Sequence, residues 1–181
     1  NSSPASRITA VAIFVAVLLS FLLGSDTQPP LIIPIDITGK QLQKVSGTIE
    51  LKLISGASER IQVGAIAVVG KDLVGRVARI GSTRIELHPI THKETGLTRA
   101  AILPARPQQG RAPLLAEIIL QSDGSASMYA DVSATSGVQK FDLVVLDDPS
   151  WPSVAAGFTV GIVESVLQLD EAPLRQRVVI T

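Results

Sequence analysis

The chain has 181 residues, and its 16 basic and 16 acidic side chains cancel to a net charge of zero. This balance excludes the basic field of a nucleic-acid-binding surface and gives no polyanionic character. The absence of cysteine removes disulfide frameworks and thiolate metal sites. With one Trp, one Tyr and four Phe, the chain is poor in aromatic residues. A carbohydrate-stacking cleft is therefore disfavoured, and the core must consist mainly of Val, Ile, Leu and Ala.

The first element in chain order is an uncharged apolar run at residues 8–25, between Arg7 and Asp26. As a helix with about 1.5 Å rise per residue it reaches roughly 27 Å, at the short end of what spans a hydrocarbon core of about 30 Å. We predict a single transmembrane anchor in residues 1–25. A cleaved signal peptide is the alternative, but it requires a shorter core and an Ala-x-Ala pattern. The most apolar anchor residues are Phe14, Leu18, Leu19, Phe21, Leu22 and Leu23.

The orientation of this anchor follows from the basic residues near its ends. Arg7 precedes the run, and no Lys or Arg follows it until Lys40. The excess of basic residues on the cytoplasmic side of membrane helices then predicts a cytoplasmic N-terminus. We expect a single-pass protein of the bacterial inner membrane with its C-terminal part in the periplasm.

Residues 26–47 are predicted to be an extended linker, because Pro29, Pro30 and Pro34 are incompatible with a helix. The linker contains an apolar patch, Leu31, Ile32 and Ile33, which either lies on the membrane surface or packs against a neighbouring protein. We predict that this patch is a partner interface.

Residues 48–181 are predicted to be mainly β, because short apolar or alternating runs are separated by turn residues and no helical period is present. Residues 83–88 alternate regularly between polar and apolar side chains, as in a half-exposed strand. The predicted strands are 48–54, 65–69, 73–80, 84–89, 97–103, 114–120, 141–146, 158–167 and 175–180.

Two stretches, residues 63–80 and 141–166, resemble each other. Each has an apolar strand, a loop and a Val-Gly-x-Val strand, at 74–77 and 160–163. Glycine inside a strand marks a bulge or a tight bend, which small barrels use to turn corners. We predict two related β units, two small barrels or sandwiches side by side. Chance similarity between valine-rich strands is the alternative.

The sequence contains one metal-like cluster, His88 and His92 with Glu94 nearby. Pro89 prevents a helix here, and on an extended strand the two histidines lie about 13 Å apart, too far to share an ion. A bent turn would bring them together, but a strand end with exposed histidines is the favoured interpretation. We predict no metal site.

No catalytic motif is present: the chain has no nucleophile elbow, no phosphate-binding glycine loop and no dinucleotide fingerprint. Two carboxylate pairs, at residues 147–148 and 170–171, fall in predicted loops where solvated charge is expected. We predict that the protein is not an enzyme and binds no cofactor.

The lone tryptophan, Trp151, lies in a predicted loop between Pro149 and Pro152. A tryptophan in a loop can anchor a partner interface. It can equally cap the end of a barrel or lie at the membrane interface. We retain Trp151 as a candidate interface residue.

The sequence resembles the extracytoplasmic domain of the rod-shape-determining protein MreC family over residues 53–181. In the first block, Gly56, Ile61 and Gly64 precede a Val-rich strand and the Leu-Val-Gly-x-Val step at 73–77. In the second block, Asp-Leu-Val-Val at 142–145 is followed by Pro152, Gly157 and Val-Gly-x-Val at 160–163. The chain departs from the family pattern where only residues 26–47 separate the anchor from the β domain, in place of a long coiled coil. It departs again at Glu59-Arg60, where the family has Asp-Gly, and at Leu146-Asp147-Asp148, where the family has Thr-Ser-Gly after Asp-Leu-Val-Val.

The resemblance implies two small β units held outside the membrane, in a non-enzymatic scaffold that binds membrane proteins and cell-wall synthesis proteins. The missing coiled coil favours a second hypothesis, a single-pass accessory subunit of a large membrane assembly, either a photosynthetic reaction centre–light-harvesting complex or a respiratory complex. A metal-dependent enzyme that uses His88 and His92 is the least favoured. The expected partners are the lipid bilayer and membrane proteins, and no nucleic acid.

Overall fold

The computed structural model of the chain describes residues 47–52, 61–106, 112–122 and 127–181, and the backbone alone of three more strands, at 12–17, 31–36 and 44–45. These residues form thirteen strands in one hydrogen-bonded sheet and two single-turn 3-10 helices, Lys93–Thr95 and Ser153–Ala155. The strands are β1 (Ala12–Val17), β2 (Leu31–Asp36), β3 (Lys44–Val45), β4 (Thr48–Lys52), β5 (Ile66–Val69), β6 (Asp72–Ile80), β7 (Arg84–Pro89), β8 (Thr98–Leu103), β9 (Ala116–Ser122), β10 (Met128–Ser133), β11 (Leu143–Leu146), β12 (Thr159–Gln168) and β13 (Arg175–Ile180).

Strands β8 to β13 form a closed antiparallel barrel. They neighbour one another in the order β11-β8-β9-β10-β13-β12, and a further pairing of β11 with β12 closes the ring. Side chains alternate along each strand, so that every second residue points into the barrel. The interior is aliphatic, as the composition predicts, and the largest fully buried side chains from the barrel strands are Ile102, Leu120, Val144, Leu146 and Ile180.

Strands β3 to β7 form a second unit with its own small core. Its sheet runs β5-β6-β7-β4-β3, and Leu51, Val77, Ile85 and Leu87 are buried on one face. The strand β5 joins the two units because its side chains serve both cores: Ala67 belongs to the small core, and Ile66 and Val68 belong to the barrel core.

The two segments that resemble each other in sequence also share their local structure. Gly75 and Gly161 lie where their strands pass closest to a neighbour: an added Cβ would come within 2.1 Å of the His88 carbonyl oxygen and 2.7 Å of the Thr181 carbonyl oxygen. Two residues after each glycine the register shifts, between 77 and 79 in β6 and between 163 and 165 in β12. In each unit, therefore, the glycine allows the neighbouring backbone to approach closely, and a β-bulge follows two residues later.

The prediction of a mainly β chain with a barrel is confirmed, but the structure differs from the sequence prediction near the N-terminus. Residues 12–17, inside the predicted helical anchor, form β1, which pairs with β2 and with β5. A run rich in Val, Ile and Phe has high strand propensity, which is the local reason for this difference. The other anchor residues lie outside the described part of the chain. Within that part, no helix combines the length and the apolarity needed to cross a bilayer.

Candidate interaction surface

The predicted interface residues Leu31, Ile32 and Ile33 lie in β2, at an edge of the sheet. Among the described residues β2 pairs with β1 alone, with Leu31 opposite Val17 and Ile33 opposite Val15. An edge strand presents backbone N–H and C=O groups that a strand of another protein can pair with. The side chains of these three residues lie outside the described part of the chain, so their contact with a partner stays a prediction.

A second surface, which the sequence analysis missed, lies on the outside of the barrel. Leu143 of β11 pairs with Leu103 of β8 on one side and with Ile162 of β12 on the other. Residues directly opposite each other in antiparallel strands share a face, so these three side chains form an apolar stripe across three strands. The stripe is partly open to solvent, and Ile162 is 37% exposed. The signal in the sequence was the unbroken apolar run at 143–146, because a strand with one solvated face normally alternates.

An exposed aromatic side chain, Phe141, lies two residues before Leu143 in the chain, with 60% of its surface open to solvent. It has a φ of 74° and is the one non-glycine residue with positive φ in the described part of the chain. Its N–H donates to the Val163 carbonyl at 2.7 Å, as the N–H of Gly64 donates to Val77 at 2.8 Å in the other unit. The chain therefore holds an exposed aromatic side chain at a position where the related unit has glycine with a φ of 89°.

Trp151 lies in the loop between β11 and β12 and packs into the barrel core with 5% of its surface exposed. The guanidinium carbon of Arg76, from the other unit, lies 5.3 Å from the centre of its ring. A cation at this distance over an indole ring is attracted to it. This placement fits the barrel-cap alternative and leaves little of Trp151 for a partner to touch.

Of the two carboxylates at 147–148, which were expected to be solvated, Asp148 orders this loop instead. It accepts hydrogen bonds from the N–H groups of Arg99 and Ser150, both at 2.8 Å. Burial alone would raise the pKa of Asp148, but these hydrogen bonds and the charge of Arg99 outweigh burial and hold the pKa below its usual range. Asp148 is therefore a structural anion that fixes the loop carrying Trp151.

The structure contradicts the expectation that His88 and His92 are separate, exposed residues at a strand end. The N–H of His92 donates to the Pro89 carbonyl at 2.8 Å, which closes a turn and folds the chain back beside β7. The two imidazole rings consequently stack, with centroids 4.1 Å apart and planes 20° from parallel. His92 is only 7% exposed. The separation expected for two histidines on one extended strand is therefore wrong, because β7 ends at Pro89.

These features define a class of protein: a two-unit β module in which a closed six-stranded barrel packs against a second sheet through β5, and which presents a strand edge and an apolar stripe. Solved structures of MreC proteins share this fold. One MreC structure matches 93% of this chain and 78% of its own at a TM-score of 0.55 with 18% identity. MreC from Pseudomonas aeruginosa matches 93% of this chain and 90% of its own, also at a TM-score of 0.55 with 18% identity. MreC from Listeria monocytogenes matches 96% of this chain and 69% of its own at a TM-score of 0.51 with 12% identity.

No protein-family model and no curated protein matches this sequence. The likeness in structure nevertheless covers nearly the whole chain, and it confirms the resemblance inferred from the glycine and valine blocks at the level of the fold. The chain carries an MreC-like β domain.

Proposed function

We propose that this protein is a non-enzymatic, membrane-attached scaffold whose β domain lies outside the cytoplasm and binds cell-wall synthesis proteins. The observation that carries the proposal is the fold shared with MreC proteins over 93% of the chain. The sequence blocks at 73–77 and 142–145 support it, because they resemble that family independently of the fold.

Two surfaces support a binding role. The edge of β2 offers backbone hydrogen-bonding groups to an added strand, which gives affinity with little dependence on side chains. The apolar stripe of Leu103, Leu143 and Ile162 offers hydrophobic area, and apolar side chains at the centre of an interface supply much of its binding energy. Attachment to the membrane would raise the local concentration of the domain near membrane-bound partners.

Membrane attachment by residues 8–25 is part of the proposal. A strand on β5 and a membrane helix are mutually exclusive for residues 12–17. In a bilayer the helix is favoured, because it satisfies every backbone hydrogen bond within the segment. We propose that the segment leaves β5 when a membrane is present. Because β2 is held in the sheet through β1, the β5 edge then replaces the β2 edge as the surface open to an added strand.

Alkaline extraction of membranes tests the attachment. The full chain should remain in the membrane pellet, and a variant lacking residues 8–25 should move to the soluble fraction. A chain with Leu18, Leu19 and Leu22 replaced by Ser is the matched control of equal length, and it should also become extractable. Retention of both variants in the pellet would contradict anchoring by this segment.

Partner binding is tested by placing a charge on the apolar stripe. Ile162→Glu should reduce co-purification of cell-wall synthases from mild detergent by at least about tenfold, because a buried unpaired carboxylate costs several kcal/mol at an interface. Ile119→Glu is the matched control, since Ile119 is 45% exposed on β9 and lies outside the stripe. Equal recovery with both variants would exclude the stripe as the binding surface.

A further inference from the structure

A cluster of potential metal ligands lies on the outside of the smaller unit. The turn at Pro89 places His92 beside His88, and the 3-10 helix that follows brings Glu94 to the same point. One ligand atom from each of His88, His92 and Glu94 lies within 4.8 Å of the others. His88 Nδ1 is 3.7 Å from a carboxylate oxygen of Glu94. The chain has two histidines and no cysteine, so this pair supplies every imidazole that a metal could use.

These distances are close to what a metal ion requires. Zinc binds histidine nitrogen and carboxylate oxygen at about 2.0–2.2 Å, which places two ligands of a tetrahedral ion about 3.3 Å apart. The cluster therefore has to contract by no more than about 1.5 Å at its widest separation. The side chain of Glu94 is 65% exposed, so it has room to move toward the imidazoles.

Two local changes accompany binding. A nitrogen lone pair lies in the plane of its ring, so two nearly parallel stacked rings cannot both point at one ion. One of the two rings has to turn about its Cβ–Cγ bond, a torsion with a broad energy profile. His92 Nδ1 accepts a hydrogen bond from the Glu94 N–H at 3.2 Å, at the long end of the normal range. That bond is lost with either ligand atom: Nδ1 as the ligand uses the accepting lone pair, and Nε2 as the ligand leaves the proton on Nδ1.

An outer carboxylate completes the arrangement. Glu86 is two residues before His88 on the same face of β7, and its Oε1 lies 3.9 Å from His88 Nε2. Glu86 is itself held by Arg79 at 3.1 Å. Histidines that bind a metal through one nitrogen commonly donate the other N–H to a carboxylate, which orients the ring and strengthens the ligand. Glu86 is placed for that role when His88 binds through Nδ1.

We propose that His88, His92 and Glu94 form a binding site for a divalent transition-metal ion, with zinc as the preferred ion. Two imidazoles and one carboxylate are a donor set that zinc accepts readily, and hard ions such as Mg²⁺ and Ca²⁺ prefer oxygen ligands alone. Three protein ligands leave one tetrahedral position for water or for a side chain of another protein. The site goes beyond the proposed scaffold function and does not depend on it.

Calorimetric titration of Zn²⁺ into the purified full chain in detergent tests the proposal, with Co²⁺ absorption as a report on tetrahedral geometry. We expect saturable binding at one ion per chain. His88→Gln should abolish the tetrahedral Co²⁺ bands, and Glu94→Gln should weaken Zn²⁺ binding at least tenfold. The matched control is Glu164→Gln, which removes an exposed carboxylate on β12 and should leave binding unchanged.

The variants are chosen to keep the fold intact. Glu94 is exposed and His88 is on the outer face, whereas the buried His92 is left in place. Circular dichroism of each variant should match the parent chain. The proposal is overturned if the parent chain shows no saturable Zn²⁺ binding up to millimolar concentration. It is equally overturned if His88→Gln or Glu94→Gln binds with the affinity of the parent chain.

Discussion

The two β units differ at one pair of matching residues, Gly64 in the smaller unit and Phe141 in the barrel. Gly64 and Phe141 occupy matching positions, each with positive φ and each donating its N–H to the valine two residues after the strand glycine. A side chain in the left-handed region costs about 1–2 kcal/mol for an ordinary L-residue, and glycine avoids this cost. Residues strained in this way cluster at functional sites, and Phe141 is an exposed aromatic residue two positions before Leu143 of the apolar stripe.

Replacing Phe141 tests the strain. Phe141→Gly should be more stable than Phe141→Ala by about 1 kcal/mol, because both variants lose the ring but only glycine relieves the backbone. The Lys140 ammonium lies 5.1 Å from the centre of the Phe141 ring. Both variants lose this contact, so it does not contribute to the difference in their stability. Urea unfolding of the two variants measures the difference. Equal stabilities would show that the positive φ is not strained.

Asp148 gives the fold a dependence on pH. Hydrogen bonds from Ser150 and the Arg99 N–H outweigh burial and hold its pKa below 3.8, so its contribution to stability is present above about pH 4 and is lost as the pH falls through the lowered value. We expect the unfolding free energies of the parent chain and Asp148→Asn to differ most at neutral pH and to approach each other as the pH falls through the lowered pKa of Asp148. The hydrogen bond with Arg177 lowers the pKa of Asp131 as well. Because Asp131 is present in both proteins, it affects both stability curves alike. Parallel curves from pH 7 to 2 would contradict this role of Asp148.

Among the elements, the paired strands β5–β6 and β11–β12 are the repeated structural unit. Each pair has a strand glycine, a bulge two residues later and a third strand lying close to the glycine, β7 in one unit and β13 in the other. The closed barrel and the open sheet are therefore variations on one arrangement. Trp151 and Arg76 link the two units, because the loop after β11 reaches over β6.

Adding a methyl group at the two strand glycines tests this arrangement. Gly75→Ala and Gly161→Ala should each destabilise the fold by about 2–3 kcal/mol, because the new Cβ meets backbone atoms at 2.1 Å and 2.7 Å that cannot move aside. Gly81→Ala is the milder control, with its nearest neighbour at 3.2 Å. Thermal unfolding ranks the three variants. A loss at Gly81 as large as at Gly75 would contradict the close crossing.

At the scale of the whole molecule, most strands could be predicted from local pattern. The runs 84–89 and 175–180 match β7 and β13 at both ends. In β7 the reason is alternation, which marks a strand with one buried face. β10 was missed although Met128, Ala130 and Val132 alternate with polar neighbours. The segment at 12–17 was assigned to a helix because a long apolar run has no local feature that separates a membrane helix from a buried strand.

The candidate sites depend on contacts that sequence pattern does not encode. The burial of Trp151 follows from packing against the barrel core and Arg76 of the other unit. The His88–His92 pair follows from one hydrogen bond that closes the turn at Pro89. The apolar stripe follows from the lateral order of β8, β11 and β12, which are distant in the chain.

The most direct test of the proposed function is purification of the full chain from its native membranes in mild detergent, through a C-terminal tag, with mass spectrometry of the co-purifying proteins. We expect recovery of cell-wall synthases and other cell-shape proteins. Recovery of a single pigment-containing or redox complex at fixed stoichiometry would contradict it, and the protein would then be an accessory subunit built on an MreC-like fold.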